Sequence, residues 1–366
     1  MLAAFALALG LDVADAAPHP RVLWNGWRDY ERGFIQADGR VIDPKDGGIT
    51  TSEGQAYALV RAVWLGDRDQ VDALLRWTRD NLQGGKAEQL PAWKWGKRPQ
   101  EDWGVIDENP ASDADIWLAW GLLGAQARWP QGGYGAVARP LIHGIWEREV
   151  LRTGDRYTLL PGPWATERSP IKVNPSYLLP FAFRAFAKVD PGHPWMALLN
   201  DSYALLAEVM ADGRLPADWV FVDPATGRLA PVPAEEAATQ IFGFESMRVP
   251  WTLAAEVAWY DETRARALLV PFAGLGVSWR KTGMIPGVMA LDGAAAVQWG
   301  YTGMYAGLLP AWATARPEDV EALYRRHIES ARNKDGWGEP KDYYAQNWTW
   351  MSLALWAGLA RPPEKL

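Results

Sequence analysis

Ile49-Thr50-Thr51-Ser52-Glu53-Gly54-Gln55-Ala56-Tyr57 marks the point where a Gly47-Gly48 loop gives way to a helix-forming run over 52–65. A carboxyl group at a helix start either caps free backbone N–H groups or is held there for chemistry. The same change from a long Gly/Pro/Trp-rich loop to a helix recurs near 112, 174, 244, 294 and 343. That recurrence decides the fold.

Helical periodicity with start signals covers 23–34, 52–65, 67–82, 112–129, 135–151, 174–187, 194–211, 244–259, 261–275, 294–309, 317–331 and 343–359. Every second helix follows a long loop, whereas the connections between, such as Leu65-Gly66-Asp67, are short. Spacings of about 50–70 residues over six helix pairs predict six αα-hairpins packed in a ring. The expected fold is therefore all-α, an (α/α)6 barrel of six helical hairpins with a small β-hairpin in the loops. The hairpin is expected at 219–232, with Asp223-Pro224-Ala225-Thr226-Gly227 as its turn. An α-solenoid is the alternative, but long loops on one side suit a closed ring better. No linker divides 18–366, which reads as one domain.

Hydrophobic residues make up 49% of the 366 residues and charged residues 22%, enough for a large core. A net charge of −7 argues against nucleic acid or an anionic membrane as a partner. With no cysteine, disulfides, thiolate catalysis and Cys-ligated zinc are excluded. The four histidines (His19, His143, His193, His327) have no partners at metal-binding spacing in the chain, so neither a metal nor a cofactor is expected. The Ala/Leu run at 2–10 with Ala14-Asp15-Ala16 resembles the end of a secretory signal, which makes 1–17 a signal-peptide remnant and the protein periplasmic or secreted. No stretch reads as a membrane span. Tryptophan is unusually abundant, with 23 copies beside 12 Tyr and 9 Phe. Any one indole is best read as core, but the set predicts an aromatic-lined cleft as well.

In a ring, the starts of the inner helices share one end of the barrel. This brings together Ser52-Glu53, Ser112-Asp113-Ala114-Asp115, Asn174-Pro175-Ser176-Tyr177, Phe244-Glu245-Ser246-Met247-Arg248, Gln298-Trp299 and Tyr343-Tyr344. Ser112 or Asp113 is expected to cap its helix, and residues two apart should not both face the cleft, which sets Asp113 against Asp115. Three carboxylate sites in an aromatic cleft favour glycoside chemistry, in which one protonated carboxyl serves the leaving oxygen and one carboxylate serves water or C1. Arg248, three residues after Glu245, could keep a carboxylate ionised. Asn174, Tyr177, Tyr343 and Tyr344 could bind hydroxyls or the attacking water. Trp93 and Trp95, in the loop 90–97, form either a sugar-stacking platform or an anchor to the core.

These segments resemble glycoside hydrolase family 8, inverting β-glycanases with an (α/α)6 barrel. The resemblance rests on Gly39-Arg40-Val41-Ile42-Asp43, Thr50-Thr51-Ser52-Glu53-Gly54-Gln55, the loop 90–97, Ala111-Ser112-Asp113-Ala114-Asp115-Ile116-Trp117, Asn174-Pro175-Ser176-Tyr177, Pro216-Ala217-Asp218-Trp219-Val220 and 246–251. It covers nearly the whole chain. Within the family, the R-V-I-D, L-P-A-W-x-W-G-K and S-D-x-D-x-W segments look most like the periplasmic branch produced with bacterial cellulose synthase. The resemblance implies endo-hydrolysis of β-1,4-glucan with inversion, and the cellulose synthase export complex as a partner. Glu53 matches the general-acid position. Asp113 matches the residue that binds the sugar at the cleavage subsite, with Asp115 as second choice.

At the base position this chain departs from the family, which carries aspartate where Glu245 stands. Glutamate reaches about one methylene further, which shrinks the gap by roughly 1 Å from the ~6.5–9.5 Å an inverting enzyme keeps for its water. Glu245 serves as base after a small backbone shift, or turnover is reduced, or Asp218 takes over; the first is preferred here. Two other functions stand beside the glucanase. One is a relative acting on xylan, mixed-linkage glucan or chitosan, and the other a glycan-binding accessory protein with weakened turnover.

Overall fold

The computed structural model describes residues 17–99 and 102–366. The signal segment expected at the N-terminus falls, but for Ala17, outside these residues. Helices α1 (Pro20–Phe34), α2 (Ser52–Leu65), α3 (Arg68–Leu82), α4 (Ser112–Arg128), α5 (Tyr134–Glu149), α6 (Pro180–Val189) and α7 (Trp195–Val209) are followed by α8 (Val249–Tyr260), α9 (Thr263–Leu268), α10 (Val270–Thr282), α11 (Thr302–Ala315), α12 (Pro317–Leu323) and α13 (Tyr343–Trp356). No helix among the described residues is long and apolar enough to cross a membrane.

Burial separates the helices into two rings. In α2, α4, α8, α11 and α13 nearly every residue is buried, as expected of helices that are apolar on all sides. Helices α1 and α3 instead bury a single stripe, Leu23, Trp27, Tyr30 and Phe34 in α1 and Val71, Leu74, Trp77, Thr78 and Leu82 in α3. The inner ring is thus α2, α4, α6, α8, α11 and α13, with an outer partner behind each. The last hairpin closes through the first helix: Trp350 donates to the Leu23 carbonyl at 2.8 Å, and Asn347 to the Tyr30 hydroxyl at 3.0 Å.

Indole rings fill the barrel. Trp117 lies against Trp120, Phe181 and Trp251, with ring centroids 5.4–5.6 Å apart. Trp64 meets Trp120 at 6.0 Å and stacks on Trp350 across the closing seam. Beside that seam Arg61 is fully buried, donating to Asn347 at 2.7 Å and lying 4.1 Å over the Tyr30 ring. Burial pulls its pKa down to about 9.

Three inner helices start later than the spacing predicts. Pro180 sits at the start of α6, leaving Pro175–Tyr177 as a 3-10 turn. Pro250 does the same for α8, behind a 3-10 turn at Ser246–Arg248. Proline suits the first helical turn because its missing N–H is not needed there. The expected helix at 294–309 begins only at Thr302. Its alanine-rich front folds back as a bridge instead, with Ala296 N–H on the Val288 carbonyl and Gly287 N–H on Trp299. Local propensity yields to tertiary pairing there.

The expected hairpin at 219–232 is only partly formed. Its turn closes, with Gly227 N–H on the Asp223 carbonyl at 2.8 Å, but the return arm makes one bridge, Val222 to Leu229. Pro231 and Pro233 interrupt that arm. Val220–Val222 pairs instead with Ile171–Val173. A hairpin absent from the sequence reading, Lys94–Lys97 with Trp103–Asp107, adds to Thr50–Thr51 in a three-stranded sheet beside the start of α2.

In the inner ring, α11 passes close to the turn that precedes α8. A Cβ on Gly307 would lie 2.4 Å from the Met247 carbonyl oxygen. Gly307→Ala should therefore displace the Ser246–Arg248 turn and cost about 1–3 kcal/mol in denaturant unfolding. An unchanged unfolding midpoint would contradict this packing.

Candidate active site

The capping question at the first helix start is settled by Thr51. Its hydroxyl accepts from Gly54 N–H at 3.1 Å, so Glu53 is free of capping duty. One Glu53 carboxylate oxygen accepts from the Tyr343 hydroxyl at 2.5 Å, and the other lies 3.7 Å from Arg248 Nη1. The α2 backbone is held in place by the preceding sheet, with Ser52 N–H on the Trp93 carbonyl at 3.0 Å.

Arg248 is the meeting point. Its guanidinium is buried, with Nη1 donating to Asp113 at 2.9 Å and to the Tyr57 hydroxyl at 3.2 Å. Nη2 donates to Glu245, and Nε to the Glu245 carbonyl at 3.1 Å. Glu245 also accepts from Asn174 Nδ2 at 2.9 Å, while Asn174 is fixed by accepting from the N–H and hydroxyl of Ser176. The guanidinium lies 5.1 Å over the Tyr177 ring. Tyr344 donates to the Phe244 carbonyl at 2.7 Å, tying α13 to the residue before Glu245.

Electrostatics separate the carboxyl groups. Glu53 is raised to about 7, first by burial and then by the nearby charge of Asp113, against the opposing pull of Arg248 and the Tyr343 hydrogen bond. Burial raises Asp113 as well, although Arg248 offsets part of the effect. Glu245 lies between two donors, Asn174 and Arg248.

Several expected residues are placed elsewhere. Neither Ser112 nor Asp113 caps α4, whose cap position is Ala111 with no side-chain hydrogen bond. Asp115 does not join the cleft. It is buried facing Glu149 at the end of α5, and each carboxyl is raised well above its ordinary range by burial, with the other adding to the effect at Glu149. Trp95 packs on Trp77 and Trp103 with Arg40 4.3 Å over its ring, so it anchors the sheet to α3. Trp93 is half-buried beside the Glu53 turn, and its indole hydrogen-bonds Asp107. Asp218, the alternative base, accepts from Gly243 N–H, Ser246 N–H and the Ser246 hydroxyl. It shapes the turn that carries Glu245.

Two features were not assigned from sequence. Tyr57 reaches Arg248, and its position four residues after Glu53 on one helix face was the available signal. Phe244 and Trp299 are exposed and stack at 6.4 Å, with Tyr301 edge-on to Phe244 at 5.1 Å. That pair, and not Trp95, is the open aromatic wall next to the carboxylates. The histidines also differ from expectation, since folding brings His143 and His193 to a ring separation of 5.1 Å.

A barrel of this kind with acid and carboxylate groups at the inner helix starts is the architecture of a glycoside hydrolase. The chain belongs to glycosyl hydrolases family 8, whose model matches residues 5–358. It is 34% identical over 309 residues to an endoglucanase of Escherichia coli K12, covering 83% of this chain and 81% of that protein. To an endoglucanase of Salmonella typhi it is 37% identical over 292 residues, covering 78% and 76%. The crystal structure of an endo-1,4-D-glucanase from Vibrio fischeri ES114 superposes with a TM-score of 0.76 at 27% identity, covering 91% and 94%.

A raised carboxyl makes a signed prediction. Between its ordinary value and about 7 the folded chain holds a proton at Glu53 that the unfolded chain has lost, so this group's contribution to stability falls as pH rises through that window. Glu53→Gln should therefore be more stable than wild type by about 1–3 kcal/mol at pH 8 and nearly equal to it at pH 4. Tyr343→Phe removes a hydrogen bond that favours the ionised form, so carboxyl NMR should place Glu53 higher still. A downward move would contradict the assigned donor.

Proposed function

We propose that the protein is an endo-β-1,4-glucanase that cleaves with inversion, Glu53 acting as general acid and Glu245 as general base. The observation that carries this is the single buried Arg248, which contacts Glu53, Asp113 and Glu245 through separate hydrogen bonds and ion pairs. Glu53, with its pKa near 7, keeps a proton for the leaving glycosidic oxygen. A water on the opposite face of the sugar gives its proton to Glu245 as its oxygen bonds to C1 and the C1–leaving oxygen bond breaks. The β-linkage thus yields an α-anomer.

Asp113 binds the sugar at the cleavage subsite, held by Arg248. Asn174 and Arg248 orient Glu245, Tyr343 orients Glu53, and Tyr177 and Tyr344 border the same pocket. Trp93 with Phe244 and Trp299 supplies faces for sugar rings. Asp115 is assigned no contact with substrate. The setting in which such an activity serves best is trimming of cellulose during its synthesis and export, in the periplasm or outside the cell, beside the cellulose synthase export complex. The departure at Glu245 keeps a second reading in view, a glycan-binding protein with weakened turnover.

The test is hydrolysis of carboxymethylcellulose and cello-oligosaccharides, with xylan, mixed-linkage glucan and chitosan in parallel, following the product anomer by NMR. The α-anomer should appear first. Activity should fall on the alkaline side as Glu53 ionises near pH 7. Glu53→Gln should lose at least ~10²-fold, and Asp115→Asn far less than Asp113→Asn. A β-anomer formed first would rule out inversion, and binding of cello-oligosaccharides with no release of reducing ends would favour the second reading. Glu245→Asp should raise turnover if the longer side chain crowds the water.

A further inference from the structure

Away from the cleft, three side chains that chain spacing does not connect meet on the outer wall of the barrel. His143 and Glu147 lie four residues apart on one face of α5, and His193 comes from the loop between α6 and α7. One ligand atom from each lies within 4.8 Å of the other two. We propose that His143, Glu147 and His193 form a binding site for a divalent cation of the zinc class, which pins α5 to the loop ahead of α7.

The site has the supporting contacts that a metal-ligating histidine needs. His193 Nδ1 lies 2.7 Å from Asp190 Oδ2, and Trp195 Nε1 donates to that same oxygen at 2.9 Å. Trp146 stacks on the His193 ring at 5.2 Å, fixing its plane. A carboxylate on one ring nitrogen sets the tautomer, so that the other nitrogen presents its lone pair. That other nitrogen, Nε2, faces Glu147 Oε1 at 3.0 Å. Ionised carboxylates only accept, so filling both contacts by hydrogen bonds takes an N–H at each ring nitrogen. A cation between Nε2 and Glu147 satisfies the same oxygen with a neutral ring.

Two imidazoles and one carboxylate suit zinc, with nickel and copper as competitors for the same donors. Bonds of about 2.0–2.2 Å in a tetrahedral site hold ligand atoms roughly 3.3 Å apart. His143 and Glu147 are exposed, so rotation of their side chains closes the site, and water completes the coordination. None of the three residues contacts Arg248, Glu53 or Glu245, so the cation serves the outer wall and not the bond-breaking step.

Tag-free protein titrated with zinc chloride tests this, read by calorimetry and by thermal unfolding, with cobalt(II) absorption reporting coordination number. One equivalent should bind, raise Tm in a concentration-dependent way, and give the intense visible bands of four- or five-coordinate cobalt. His143→Gln and His193→Gln should each weaken binding at least ~10-fold, and Asp190→Asn ~10–100-fold, with glucan hydrolysis unchanged in His143→Gln. Absence of saturable one-to-one binding in the wild type would overturn the site, as would equal affinity in His143→Gln and wild type. His143 is exposed, so that variant tests the site even if His193→Gln fails to fold.

Discussion

A buried guanidinium has to be surrounded by groups that compensate its lost hydration, and the active end of this barrel is organised around that requirement. Arg248 satisfies it with Asp113 from α4, Glu245 from its own turn, Glu53 and Tyr57 from α2, and the face of Tyr177. Three carboxyl groups for one cation leave the cluster short of positive charge. Burial first and the charge of Asp113 second lift Glu53 to about 7, and its contact with Arg248, the longest of the three, offsets only part of that. Without Arg248 the surplus of buried negative charge would become severe, because removing one partner of a buried ion pair strands the others. Chemistry and stability therefore hang on one side chain.

The ring is what makes that meeting possible. Residues 53, 113 and 248 are far apart in the chain, and they converge because parallel inner helices put their N-terminal ends at one end of the barrel. Those ends carry partial positive charge, which favours carboxylates there before any specific contact is made. Below them the interior is filled by interlocking indoles such as Trp117, Trp120 and Trp251, which hold the helix spacing that the short contacts of Arg248 require. Most of the 23 tryptophans are thus accounted for by packing, and the cleft draws on few of them.

What could be read from sequence followed local rules. The start of α2 at Ser52, the alternation of long and short loops, and the i, i+3 relation of Glu245 and Arg248 are all short-range signals, and each is found in the structure. What could not be read depends on contacts between distant segments. Ala294-Ala295-Ala296 has helical composition but pairs back on Val288. Sequence leaves Trp95 as either a platform or an anchor, and only the packing of Trp77, Trp103 and Arg40 around it makes it an anchor. Asp115 lies two residues after Asp113 and so on another face of the helix, where it turns to Glu149 on an outer helix. His143 and His193, fifty positions apart, gave no pattern at all until α5 and the α6–α7 loop were side by side.

The position of Glu245 is set by the turn around it. Glu245 is not on α8; it precedes a 3-10 turn whose backbone is braced by Asp218 at Gly243 and Ser246. A residue at a helix start has its reach set by the helix axis, whereas one in a turn can be repositioned by small changes in that turn. Arg248, three residues on, draws the Glu245 carboxylate toward its guanidinium, and Asn174 holds it from the turn ahead of α6. The Glu245 side chain therefore runs along its contact with Arg248. On that geometry the place of the Glu245 carboxylate depends on how firmly Asp218 fixes the turn.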